Sequence, residues 1–469
     1  MSQRWPGWRS IVSVVRTSLR DDPEADHTKG PINRALILLA IPMMLEMVLE
    51  SVFAVVDIYF VARLGAEAVA VVGITEATVT ILFAIAIGLS MATTAMVARR
   101  YGAGDKKDAA RVGAQALWVG LAVGTIIGIA GAIYAEDILR LMGASEAVVE
   151  QGAGYTRVLL GGSITILYLF LINAIFRGAG DAALAMRSLW LANAINIILD
   201  PLLIFGLGPF PEMGVMGAAV ATTIGRGVGV LYQLYHLTRP HHRLSLRLDT
   251  LGIRWSLLRR LLRISIGGVT QFLIATSSWM FLMAIVAGFG SQAVAGYTIA
   301  IRIIVFTILP AWGLGNAAAT LVGQNLGAGQ ADRAETSVWR AARFNFCFMV
   351  IVSIVFIAIP GTLVGLFSTD PAVIETGARC LRTMAFGYGF YAVGMIIVQS
   401  FNGAGDTSTP TAINFVCYWA FQLPLAWYLA YPMALGPQGV FYAILAAEVL
   451  LTVVSVLVFR RGTWKKAVA

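Results

Sequence analysis

FRGAGD, residues 176–181, returns as FNGAGD at 401–406, 225 residues later. The same offset joins LGAEAVA (64–70) to FGSQAVA (289–295) and YGAG (101–104) to LGAG (326–329). Glycines suit helix ends and turns in any fold, and these have that role. Unrelated helix-ending loops would not keep one spacing. Past the fifth apolar segment the register slips, and VMGAA (215–219) answers PQGVF (437–441) at 222 residues. The chain therefore reads as two homologous halves.

Composition says what the halves are made of. Of 469 residues, 58% are hydrophobic and 13% are charged, against about 25% charged in a soluble domain. A membrane-crossing helix needs about 20 mostly apolar residues. Twelve such segments lie near 34–63, 68–98, 110–135, 150–176, 184–206, 214–237, 257–288, 293–323, 335–359, 373–401, 410–431 and 438–459. Their apolar runs are continuous rather than alternating, which excludes a membrane β-barrel. The fold class is all-α integral membrane, with twelve transmembrane helices in two parallel-repeat six-helix lobes.

Charge orients the spans. The loops ARRYGAGDKKDAAR (98–111) and TRPHHRLSLRLDTLGIRWSLLRR (238–260) and the tail RRGTWKK (460–466) are basic, and the intervening loops are not. Lys and Arg mark the cytoplasmic side, so both termini are expected in the cytoplasm of a plasma (inner) membrane protein. The net charge of +9 follows from these loops and does not call for nucleic acid. The expected organisation is a cytoplasmic arm (1–33), a first lobe (34–238), a basic linker (239–256), a second lobe (257–460) and a cytoplasmic tail (461–469). The arm lacks the apolar core and cleavage site of a signal peptide. Trp5 and Trp8 give it a membrane-surface character, with disorder the competing reading. Cys347, Cys380 and Cys417 are far apart, lack metal-ligand spacing and read as apolar fillers. His27, His236, His241 and His242 fall in the arm or around the linker, where solvation explains them.

Six crossings return the chain to its starting side, so the lobes share an orientation. Their interface is the expected cavity, opened to each side in turn by rocking. No GxxxxGK[ST] phosphate loop is present, so energy is expected from an ion gradient.

The acids locate the coupling. Glu46, Glu50 and Asp57 fall within about 40° of one another on the first helix. Each buried charge costs roughly 2.5–3.5 kcal/mol at the bilayer centre, so that stripe faces the protein interior. Asp57, Glu76 in the second span, Asp200 in the fifth and Thr222 in the sixth lie at one level, roughly 9–12 Å below the outer helix ends. Asn196 is one turn from Asp200 on the same face. Crowded carboxylates in a low dielectric can retain a proton near neutral pH. With the neutral oxygens of Asn196 and Thr222, the same group can coordinate Na⁺. Glu46, Glu50 and Glu76 read equally well as interior hydrogen-bonding groups. Pro42 and Pro201 remove backbone hydrogen bonds and permit kinks. In the second lobe the seventh span has no acid, Arg302 is an intramembrane cation, and Glu448 is the one obvious carboxylate. Trp279, Tyr297, Trp312, Phe386, Tyr388 and Tyr391, with Gln271 and Arg302, are candidates for a substrate cavity, packing being the competing role of each aromatic.

Together, VVDIYFVARLG (55–65), VGQNLGAGQADRA (322–334), RGAGD (177–181) and NGAGDTSTP (402–410) resemble the multidrug and toxic compound extrusion (MATE) family, its DinF-like and NorM-like bacterial branch, over about 34–460. The resemblance implies an antiporter that exports amphiphilic, often cationic compounds against H⁺ or Na⁺. The family's first-helix aspartate falls on Asp57. Its first-lobe cation site falls on Asn196, Asp200 and Thr222. The acids that NorM-like members carry on the seventh and tenth helices have no counterpart here. The rival is a lipid-linked oligosaccharide flippase of the same architecture, which calls for a cationic cavity. No enzymatic activity is expected, and no cofactor beyond the coupling ion. A monomer suffices.

Overall fold

The computed structural model describes residues 8–19, 26–240 and 243–467. All secondary structure among the described residues is helical. The twelve expected segments all fold as helices. Nine are Ile32–Ala62, Ala66–Gly102, Lys106–Ile133, Ala182–Ile204, Val215–Thr238, Trp255–Ala287, Ser291–Gly327, Ala331–Ala358 and Pro437–Arg460. The fourth span, Glu146–Ala179, is interrupted at Gly162.

Two further spans depart from simple helices. The tenth pairs Pro371–Ala385 with Tyr388–Ala404 and bends by 60° between them. The eleventh runs as Ser408–Asn414, a π-helix at Phe415–Gln422 and Leu423–Ala430. Pro424 explains the wide turns. It has no N–H for the carbonyl one turn back, and its ring would crowd that carbonyl, so the preceding turn loosens. The π stretch is tied to the seventh span: Trp419 Nε1 donates to the Ile274 carbonyl (3.2 Å), and Ser278 Oγ donates to Gln422 Oε1 (3.1 Å). Pro42 and Pro201, by contrast, sit inside uninterrupted helices.

The repeat seen in sequence is also a repeat of backbone geometry. Gly180 and Gly405 end their helices with φ of 85° and 88°, and the aspartate after each accepts from a backbone N–H in the first turn of the following helix. Asp181 accepts from the Leu184 N–H at 3.1 Å, and Asp406 from the Thr409 N–H at 3.1 Å. Only glycine adopts that left-handed stop without strain.

Between the halves, the first span packs on the eighth and the second on the seventh. The second and eighth spans meet at the basic end of the molecule. A Cβ on Gly102 would lie 2.0 Å from the Gln324 carbonyl oxygen, and one on Gly327 would lie 1.9 Å from that of Arg99. Each glycine lets the other helix touch its backbone, and the two contacts are related by the same 225-residue offset.

The basic end is closed further by the chain's own extensions. Gln324 Nε2 donates to the Gly178 carbonyl (2.9 Å), across the two halves. Arg333 donates to the carbonyls of Gly30 (2.9 Å), Lys29 (3.1 Å) and His27 (3.2 Å), holding the arm against the second half. His27 is buried rather than solvated, with Nε2 3.1 Å from the Gly180 carbonyl, because the arm folds into the GAGD turn. Trp8–Ser18 is helical and packs on the first span. Trp5, His241 and His242 lie outside the described residues. The linker is docked through Gln115, whose amide donates to the Gly252 carbonyl (3.0 Å) and accepts from the Arg254 N–H (2.9 Å). The tail is part of the fold: Trp464 is fully buried, stacked on Phe459 at 4.7 Å.

Candidate functional site

Four helices converge near the end opposite the basic loops. Asp200, from the fifth span, is fully buried. Asn196, one turn back, donates through Nδ2 to Thr222 Oγ1 of the sixth span at 2.9 Å. Asp57, from the first span, is half-buried and lies close enough for its charge to act on Asp200. Tyr155, on the fourth span, is buried within the field of both aspartates. Sequence reasoning missed Tyr155, because a tyrosine in an apolar segment gives no signal without a tertiary neighbour.

The donors in this group do not match its acceptors. Asp57 Oδ1, Asn196 Oδ1 and both carboxylate oxygens of Asp200 are buried and have no hydrogen-bond partner among the described residues. An unpartnered buried acceptor costs about 1–3 kcal/mol, and more when charged. Four of them in one place form a surface for a proton or a small hard cation, which prefers oxygen ligands. The residues present therefore fit either ion.

Of the other first-lobe acids, Glu46 and Glu50 have side-chain partners, although Glu46 Oε2 is buried without one among the described residues. Glu46 is buried against Arg177 (3.3 Å) and accepts from Asn173 Nδ2 (3.1 Å), whose own oxygen accepts from Gln233 (2.6 Å). Glu50 accepts from Asn193 Nδ2 at 3.2 Å. The Arg226 guanidinium lies in the field of both Glu50 and Asp57. Glu76 is exposed rather than enclosed; it faces the charge of Arg302 across the halves without forming an ion pair within 4 Å. Removing one member of a buried ion pair costs about 3–5 kcal/mol, because the other charge is stranded. Arg177→Met should lower the thermal unfolding midpoint of the purified protein sharply, and adding Glu46→Gln should restore most of the loss. An equal loss in the single and double variants would contradict the pairing.

Two cavities lie at the interface of the halves. The first, of about 200 Å³, holds Glu46, Glu50, Arg177 and Arg226. The second, of about 480 Å³, is walled by Phe272, Trp279, Tyr391 and Tyr418 and contains Glu448. Met91, Leu309, Trp312 and Gln399 border both, so the two chambers adjoin. Of the candidate cavity residues, Gln271, Trp279, Trp312 and Tyr391 line the second chamber. Tyr297 and Tyr388 do not: both are buried in the second-half core, Tyr297 stacked on Phe441 and Tyr388 packed on Phe356 with its hydroxyl 3.3 Å from Thr307. Arg302 is exposed and borders neither chamber. Phe386 is exposed at the bend of the tenth span. Glu448 belongs in the site instead. Tyr418 donates to its Oε1 (3.2 Å), while its buried Oε2 has no partner among the described residues. Gln271 Oε1 and Asn414 Oδ1, on the same chamber wall, are unpartnered likewise.

Known proteins share this arrangement over nearly the whole chain. "Probable multidrug resistance protein NorM" of Thermotoga maritima is 29% identical over 93% of this chain and 94% of its own. "FAD transporter" of Shewanella oneidensis is 28% identical over 85% and 88%. A structure described as the outward-facing conformation of a multidrug resistance MATE family transporter superposes with a TM-score of 0.87 at 28% identity, over 96% of this chain and 98% of that one. The MatE family model matches twice, at residues 42–202 and 269–428, one match in each half of the repeat. The chain belongs to the MatE family, the multidrug and toxic compound extrusion proteins.

Proposed function

We propose that this protein is a multidrug efflux antiporter, which exports amphiphilic cations in exchange for H⁺ or Na⁺ bound at Asp57, Asn196, Asp200 and Thr222. The observation that carries the reading is the set of four buried, partnerless acceptor oxygens in that group. A cation held there and a cationic substrate in the adjoining chambers each weaken the other's binding. That reciprocity is antiport by linkage. The lobes that rock are residues 34–238 and 257–460. The basic end, closed at Gly102 and Gly327, is the cytoplasmic side by the distribution of Lys and Arg; the conformation described here is then the outward-facing one. On this reading both termini are cytoplasmic, the membrane is the inner membrane, a monomer is sufficient, and there is no catalytic activity or cofactor.

The flippase alternative calls for free cations facing an anionic headgroup. Arg177 is taken by Glu46, and Arg226 lies among Glu50 and Asp57, which favours a cationic substrate. The aromatic second chamber suits a flat cation, with Glu448 as its counter-charge. A hydrogen bond to a charged group is worth ~1.5–3 kcal/mol, or roughly 10- to 100-fold in affinity. Glu448→Gln should therefore weaken binding of a monocationic dye by that factor and leave a neutral analogue nearly unaffected, as read by fluorescence titration. Equal losses for both compounds would remove Glu448 from recognition. The function itself is tested with proteoliposomes carrying a fluorescent cationic dye under separately imposed pH and Na⁺ gradients. One of the gradients should drive dye movement; transport that responds to neither would overturn the antiport reading.

A further inference from the structure

The strongest unassigned feature is on the outside of the second half, at the basic end. A groove of about 1060 Å³ runs between the start of the seventh span and the start of the eleventh. Its upper wall carries Arg259, Arg260 and Arg263, and no carboxylate lines it among the described residues. These arginines form no ion pair within 4 Å with a described acid. Arg260 lies in the field of Arg100 and Arg263, and Arg99 in that of Arg260 and Arg100. Of this group Arg100 is neutralised, by Asp108 at 2.7 Å. The acid beside the groove, Asp406, is occupied by Ser408 (3.2 Å) and by the Thr409 N–H (3.1 Å).

Below the arginines the lining becomes apolar, through Ile264, Ala412, Ile274 and Phe415. The groove floor is stitched shut, with Thr407 Oγ1 donating to the Ile264 carbonyl and Thr411 Oγ1 to that of Gly267, both at 2.9 Å. Trp255, which opens the seventh span, is exposed and marks the level of the membrane interface. From Arg263 to Ile274 the helix descends about 16 Å, close to the depth of one hydrocarbon leaflet.

We propose that this groove binds an anionic phospholipid, with its phosphate among Arg259, Arg260 and Arg263 and an acyl chain along Ile274 and Phe415. A free phosphate would satisfy the arginines but leave the apolar half uncovered. Arginine matches phosphate oxygens through two parallel hydrogen bonds. Each basic residue near an anionic membrane surface contributes about fivefold in affinity, so three give roughly 100-fold.

The test is binding of phosphatidylglycerol and phosphatidylcholine to the full-length protein in neutral detergent, by native mass spectrometry, with no gradient or drug present. Phosphatidylglycerol should bind roughly 100-fold more tightly. The triple variant Arg259→Gln/Arg260→Gln/Arg263→Gln should erase the difference, and the corresponding triple Lys variant should keep most of it. Single Gln variants, each losing about fivefold, carry the same test should the triple variant fail to fold. Equal binding of the two lipids by the unaltered protein, or an unchanged preference in the Gln variants, would overturn the proposal. Displacement of the lipid by inorganic phosphate would mark a free-anion site and overturn it equally.

Discussion

Asp57→Asn and Asp200→Asn should each sharply reduce gradient-driven efflux while leaving dye binding in place. Each substitution keeps the size of the side chain and removes its charge. With the charge gone, the four-oxygen group no longer favours a proton or Na⁺, and substrate binding is uncoupled from the ion. Coupling free energies between sites run to ~1–3 kcal/mol, so dye accumulation should fall roughly 5- to 150-fold. Asn196→Ala should have the same sign and a smaller effect, because it removes one neutral oxygen and the hydrogen bond to Thr222. Dye flux in proteoliposomes under a pH or Na⁺ gradient, together with dye affinity in detergent, separates loss of coupling from loss of binding. Two variants that transport like the unaltered protein would place the coupling ion elsewhere.

Gly102→Leu or Gly327→Leu should force the basic end open. The added Cβ would lie 2.0 Å from the Gln324 carbonyl oxygen in the first case and 1.9 Å from that of Arg99 in the second. Both neighbours are backbone atoms in the last turn of a long helix rather than the ends of flexible side chains, so relief requires the helices to move. The second and eighth spans must separate, and the remaining state is the one open at that end. A full reversal from 99:1 to 1:99 needs about 5.5 kcal/mol, and any part of that contributed by the clash raises the open population. Spin labels at the exposed Lys107→Cys and Asp332→Cys positions, with Cys347 replaced, should report a longer distance in either glycine variant. An unchanged distance would show that the glycine crossing does not set the facing.

The architecture was largely legible. Twelve apolar segments and one offset are properties of composition and spacing, and both persist in the fold: the left-handed glycines at 180 and 405, each followed by an aspartate that accepts from the next helix's first turn, show why the offset exists. The Asp200, Asn196 and Thr222 placement was legible too, because a polar side chain in hydrocarbon has to turn inward. The aromatics were not. In a membrane helix the lipid-facing and protein-facing sides are both apolar, so nothing in the sequence separates Trp279, which lines a chamber, from Tyr297, which is core. Glu448 was visible as an acid, but its chamber is built from six different spans and appears only on assembly. The buried His27 and Trp464 were hidden for the opposite reason. Polar, basic surroundings made both termini read as solvated, although each folds back onto the bundle.

Substrate binding should expel the ion held at Asp57 and Asp200. A cationic dye is added to purified protein in weakly buffered detergent, and released protons are followed with a pH indicator; a parallel sample is preloaded with radioactive sodium. Cation release should rise with the dye bound by the unaltered protein, with none from Asp57→Asn or Asp200→Asn. Dye binding without release in the unaltered protein, or equal release from the variants, would contradict it.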